Sequence, residues 1–175
     1  MDSKSFRKWL GGSTIALATL GGGVVAVAAG GSTRSAGPDR VYGDAAFADA
    51  SAKVHIVRTG TGGTRVTLHM TGVDAEPGRT FGAHIHQRSC GPIATDAGGH
   101  YQHAGAVGSL EDREVWLDFT IDEDGNGHAA ATRPWTVDET APRSVIVHAL
   151  ATDSVTGAAG ARLACIDLDG DGNGA

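Results

Sequence analysis

Apolar and polar side chains alternate over short stretches of this chain, and turn residues separate the stretches. Val66, Leu68 and Met70 interleave with Arg65, Thr67 and His69, which predicts a strand with one buried and one wet face. The run Lys53–Arg58 precedes it across the glycine-rich TGTGGT, so the two predict a hairpin. Further strands are predicted at 80–87, 114–121, 128–132, 144–150 and 161–167. No stretch holds a 3.6-residue period over three turns, and 27 glycines are too many for a helical protein. Short strands at regular spacing predict an all-β chain, a Greek-key sandwich or barrel of about eight antiparallel strands. The interval from Gln87 to Leu110 breaks the pattern. It contains Gly91-Pro92 and Gly98-Gly99 and reads as one long loop, the kind of segment that holds function.

The chain has 175 residues, enough for one domain and an appendage. Residues 1–29 begin with Lys4, Arg7 and Lys8, continue through an apolar, glycine-diluted stretch from Trp9, and end in Ala26-Val27-Ala28-Ala29. They read as a secretory signal peptide with a small-residue exit. An uncleaved membrane anchor is the alternative reading, since about 20 apolar residues just span a bilayer. Residues 30–43 are small, polar and aperiodic, a flexible linker; residues 44–168 form the domain, and 169–175 an acidic glycine-rich tail. The mature protein is expected outside the cytoplasm, with no membrane segment. Without residues 1–29 the formal charge is −8, from 11 Lys and Arg against 19 Asp and Glu, which argues against a nucleic-acid partner. The two cysteines, Cys90 and Cys165, lie in the mature part. In an oxidising compartment an even count suggests a disulfide, two free buried thiols being the alternative.

Histidines supply the candidate chemistry. His84 and His86 share one face of a predicted strand, with Ala83 and Ile85 on the other. His148 ends the apolar run Ser144-Val145-Ile146-Val147, and His100 follows Gly98-Gly99 in the long loop. Taken singly these read as surface or core groups. Together, two strands and a loop can assemble an all-imidazole site, which suits copper(II).

The motifs HIHQRSC, AGGHYQH, SVIVHA and GARLAC stand here in the order and context found in copper/zinc superoxide dismutases. The chain resembles that family over residues 52–168, and within it the exported bacterial branch. The resemblance implies an immunoglobulin-like Greek-key sandwich. It implies His84, His86 and His148 as copper ligands, His100 as the histidine bridging copper and zinc, and Cys90–Cys165 as the intrasubunit disulfide. Arg162 resembles the arginine that attracts superoxide, so Arg162 and His100 are the expected catalytic residues.

The zinc half of that pattern is broken. His103 matches at most one zinc histidine, Ala106 stands where the family has an aspartate, and a further ligand is missing. Two ligands make a poor zinc site, so copper is expected with zinc absent or weakly held, as in copper-only members of the family. The stretch ALATDSVTGAAGA between His148 and Arg162 is short for the family's channel loop, which implies an open site. Asp153 is a candidate to orient a ligand, and His103, Glu111 and Asp112 are candidates to orient the outer nitrogen of His100. His55, His69 and His128 read as surface groups, Trp116 and Trp135 as packing. The run Asp122–Gly127 begins like a calcium loop but has Arg133 at position 12, so it reads as a polar turn. The expected activity is superoxide dismutation; an exported copper-storage protein on the same fold is the alternative.

Overall fold

The computed structural model describes residues 31–36, 38–137 and 143–168. Among the described residues nine strands lie in two antiparallel sheets: β1 (Gly31–Ala36), β2 (Arg40–Val41), β3 (Ser51–Arg58), β4 (Thr64–Thr71), β5 (Thr80–His86), β6 (Phe119–Thr120), β7 (Gly127–Arg133), β8 (Ser144–His148) and β9 (Arg162–Asp167). One sheet runs β1-β3-β4-β7, the other β2-β9-β8-β5-β6. The sheets close on an apolar interior that includes Val54, Val66, Leu68 and Met70 from one side and Phe81, Ala83, Ile85, Val145 and Val147 from the other. Phe47, Phe81 and Phe119 fill one end, with successive ring centroids 5.1 and 5.6 Å apart. Period-2 alternation in β3 and β4 is the direct cause: every second side chain enters this interior.

The central strands of the five-stranded sheet, β5, β8 and β9, are buried on both faces, and this positions the site. All five residues of β8 are buried, as are Phe81–His86 of β5. On its outer face Ile146 and Cys165 pack with Ala97 of the long loop. The Cys90–Cys165 disulfide ties that loop to β9 across 75 residues, a closure worth roughly 4–5 kcal/mol in the chain-entropy model.

Two expectations are corrected. The stretch read as a linker contains β1, which pairs along β3 from Gly31↔Val57 to Ala36↔Ala52, and β2, which pairs with β9. An edge strand can be held by backbone hydrogen bonds, which leave no apolar period in the sequence. The strand expected at 114–121 shrinks to Phe119–Thr120. Residues 115–117 still run beside β5, but the ladder is interrupted because Asp118 Oδ1 accepts the Ala83 N–H in place of a backbone carbonyl. Residues 1–29 and 169–175, read as signal peptide and tail, lie outside the described residues. Among the described residues no helix is long and apolar enough to cross a membrane.

Gly82 lies in β5 opposite His148, where a Cβ would stand 2.7 Å from both Ala159 Cβ and the Leu150 carbonyl. Gly82→Ala therefore pushes the 149–161 loop off the sheet, and the expected cost is about 1–3 kcal/mol. A denaturant midpoint equal to that of the unsubstituted protein would show that the loop yields freely.

Candidate metal centre

His84 and His86 project from β5 on the face opposite Ala83 and Ile85, and neither exposes any surface. His148, at the end of β8, sits beside them, and His100 pairs with His86 through an isolated bridge from the long loop. One ring nitrogen of each of these four histidines lies within 4.8 Å of the others.

The hydrogen bonds on the far sides of the rings decide which nitrogens converge. His86 Nδ1 donates to the Gly98 carbonyl at 3.1 Å, and His148 Nδ1 donates to the Gly160 carbonyl at 3.2 Å. Both therefore carry their proton on Nδ1 and leave a lone pair on Nε2. Those two Nε2 atoms face each other at 3.4 Å with no proton to share. His84 is turned the other way. Thr152 donates its hydroxyl hydrogen to Asp118 Oδ1 at 2.6 Å, so its oxygen accepts from His84 Nε2 at 2.7 Å. His84 Nδ1 is then a buried lone pair without a hydrogen-bond partner. His100 Nδ1 donates to Glu114 Oε2 at 2.8 Å, which leaves its Nε2 lone pair inward.

Four neutral imidazole lone pairs directed at one point repel one another unless a cation lies between them. Copper(II) and other imidazole-preferring ions match this donor set, so the residues fit the metal that the family's pattern implies. Burial is the main reason His84, His86 and His148 stay neutral. It lowers the pKa of His84 to about 2, with His100, His148 and His86 adding to the effect. Burial likewise takes His86 to about 3 and His148 to about 4, with the Arg162 charge contributing in each case against the carbonyl bond.

Glu114 replaces every candidate named for the outer nitrogen of His100. It is 2 % exposed, and its carboxylate accepts from His100 Nδ1, from Trp116 Nε1 at 2.7 Å and from Gln102 Nε2 at 2.8 Å. Burial raises its pKa, but these bonds outweigh burial and the net shift is downward, so the carboxylate stays charged. His103 is elsewhere: its ring stacks on Trp135 at 4.7 Å, and its Nδ1 accepts the Gly105 N–H. Asp112 caps its own short helix through Ser109, and Glu111 is exposed. Asp153 is likewise spent on its own turn, accepting from Val155 and Thr156. Asp118, through Thr152, holds His84 instead. Trp116 is thus a donor to Glu114 as well as a packing residue, and Trp135 donates to the Asp112 carbonyl at 2.9 Å.

Arg162 opens β9 beside the histidines. Its guanidinium donates to the carbonyls of Ala94 and Gly98, each at 2.6 Å. The Gly98 carbonyl is therefore shared by Arg162 and His86, and Gly98 reaches this orientation at a φ of 75°, where a side chain would be strained.

Without metal the buried histidines cost stability in acid. Their folded pKa values lie below the unfolded value of about 6.5, so the unfolded chain binds more protons as pH falls from there toward about 4. Each contributes up to about 1.4 kcal/mol of lost stability per pH unit in that window. The metal-free protein is expected to keep a constant denaturant midpoint above pH 7 and to lose it steadily below 6.5. A midpoint flat down to pH 4.5 would contradict this burial.

No curated protein sequence matches the chain. Among solved structures, a SOD-like protein from Bacillus subtilis aligns with a TM-score of 0.53 and 19% identity, covering 67% of this chain and 89% of its own. A mutant of that protein aligns at 0.54 and 22%, covering 68% and 90%. The clock protein EA4 aligns at 0.53 and 20%, covering 67% and 85%. At these identities the likeness establishes the fold. The sequence itself matches the model of the copper/zinc superoxide dismutases over residues 50–166, and the chain belongs to that family.

Proposed function

We propose that this chain is a copper-dependent superoxide dismutase that works outside the cytoplasm and without zinc. The observation that carries the reading is the convergence of four imidazole lone pairs, with a carboxylate already occupying the outer nitrogen of His100. In the family's two-metal pattern that nitrogen faces zinc. Here Glu114 accepts a hydrogen bond from that nitrogen, so a second metal would have to displace a buried, three-fold hydrogen-bonded carboxylate. Export is supported by the N-terminal signal-like segment and by the Cys90–Cys165 disulfide.

Copper bound by His84, His86, His100 and His148 would supply one-electron exchange, accepting an electron from one superoxide to give oxygen and returning it to another to give peroxide. The chain's residues supply the rest. Gly98, Gly160 and Thr152 fix His86, His148 and His84 by their outer nitrogens, so these three donors keep their geometry through the electron transfer. Glu114 holds the His100 ring in place whether its Nε2 serves as a donor or carries a proton. Arg162 places a positive charge next to His86 and His148 in an otherwise acidic protein and draws the anion in. Peroxide needs two protons, and His100 Nε2 can hold one of them. When it does, the ring becomes cationic, and Glu114, 2.8 Å from Nδ1, stabilises that charge. A storage protein has no use for an anion-attracting arginine, and Arg162 therefore favours the enzyme.

Residues 30–175 loaded with copper alone test the reading. After loosely held ions are stripped, fast superoxide decay with one copper and no zinc per chain is expected. Tight copper with decay no faster than free-metal background would make the protein a copper carrier. Arg162→Ala is expected to slow decay roughly tenfold or more and to flatten its dependence on salt; an unchanged salt dependence would remove Arg162 from the mechanism. Glu114→Gln keeps an acceptor but removes the charge that stabilises protonated His100. Its decay rate is expected to drop at least about tenfold, and more steeply at alkaline pH, where solvent protons are scarce. A pH profile parallel to that of the unsubstituted protein would rule out this role.

A further inference from the structure

A second histidine pair lies on the solvent face of the four-stranded sheet. His69 of β4 and His128 of β7 are direct register partners, and both are exposed. Their ring centroids are 4.2 Å apart with the planes tilted by 39°. Side chains directly opposite on antiparallel strands start from Cβ atoms only about 5 Å apart. Rings this close can bring one nitrogen of each to the separation of roughly 3 Å that two neighbouring donors need around a metal about 2 Å away. Neither ring makes a hydrogen bond among the described residues, so their nitrogens are not committed to the fold.

The surroundings favour a cation. The pair lines an open cleft of about 670 Å³ that also contains Asp118, Thr120, Asp122 and Asn126. Asp122 is occupied by the N–H groups of Asp124 and Asn126, which hold its carboxyl below the usual range, so it contributes charge to the cleft. Lys53 stands opposite His69 on β3 and works in the other direction. Partial burial, His128 and Lys53 together lower the pKa of His69, which keeps it neutral and able to ligate at neutral pH. No ligand of the four-histidine centre takes part.

We propose that His69 and His128 form a second, exposed site for a divalent transition-metal ion of the imidazole-preferring class, copper(II) or zinc(II), completed by water. Two donors on a surface hold such an ion weakly, so it exchanges readily and is removed when the protein is desalted over a chelator. The pair is a chelate: loss of either ring leaves one donor, and the affinity of the whole site goes with it.

Calorimetric titration with zinc(II), after one equivalent of copper has filled the four-histidine centre, tests this directly. The unsubstituted chain is expected to take up one further zinc. His69→Ala and His128→Ala should each weaken that uptake by more than tenfold, as loss of even an outer-shell partner costs about 10–100-fold. The double substitution should be little worse than either single one, and superoxide decay should be the same in all of them. Both side chains are exposed, so the variants should unfold at the same denaturant midpoint as the parent. Zinc uptake that survives both substitutions, or that falls with only one, would overturn the proposal. Zinc titrated without prior copper into His86→Ala, which breaks the four-histidine centre, should still show an uptake that is lost when His69→Ala is added, so failure of the dismutase reading and failure of this one give different results.

Discussion

The metal centre depends on one constraint: each imidazole is bonded at its outer nitrogen by a partner that fixes which nitrogen holds the proton. Carbonyls set His86 and His148, a hydroxyl committed to Asp118 sets His84, and a carboxylate sets His100. A histidine with the wrong tautomer would point an N–H at its neighbours and close the site. On the copper-only reading proposed above, the same constraint limits the centre to one metal, because a ring whose outer nitrogen is satisfied within the protein has one lone pair to give. Glu114 bonds the outer nitrogen of His100, and on that reading it brings a negative charge where a second ion would bring a positive one.

The fold meets this constraint by burying both faces of one sheet. β5 and β8 bring three of the histidines together at adjacent registers, and the long loop, pinned at Cys90 and Cys165, covers them. That cover supplies the Gly98 carbonyl and carries His100. The shorter 149–161 loop supplies Thr152 and Gly160 from the other side. Burial keeps His84, His86 and His148 neutral and lowers their affinity for protons, which is the state a metal requires. Its cost is an apo-protein sensitive to acid.

Three members of the histidine cluster were legible in the sequence, because strand alternation places His84 and His86 on one face and an apolar run delivers His148 beside them, whereas His100 was assigned its role only through the family resemblance. The β3–β4 hairpin was legible for the same reason. The outer bonds were not. Glu114 is 14 residues from His100, and Thr152 is 68 from His84; only the packed tertiary structure brings them together. Sequence proximity favoured Glu111 and Asp112, but those side chains sit on a short helix whose start Asp112 caps. Asp153 was one residue away from the right position, since Thr152 makes the contact and Asp118 anchors it from another strand segment. β1 was missed because an edge strand of small polar residues has no apolar period to read.

The most direct measurement is the tautomeric state of the four histidines by long-range proton–nitrogen NMR of the metal-free protein near pH 7. The expected result is a proton on Nε2 of His84 and on Nδ1 of His86, His100 and His148, with His84, His86 and His148 neutral. A proton on Nδ1 of His84, or on Nε2 of any of the other three, would contradict it, since the lone pairs would no longer converge.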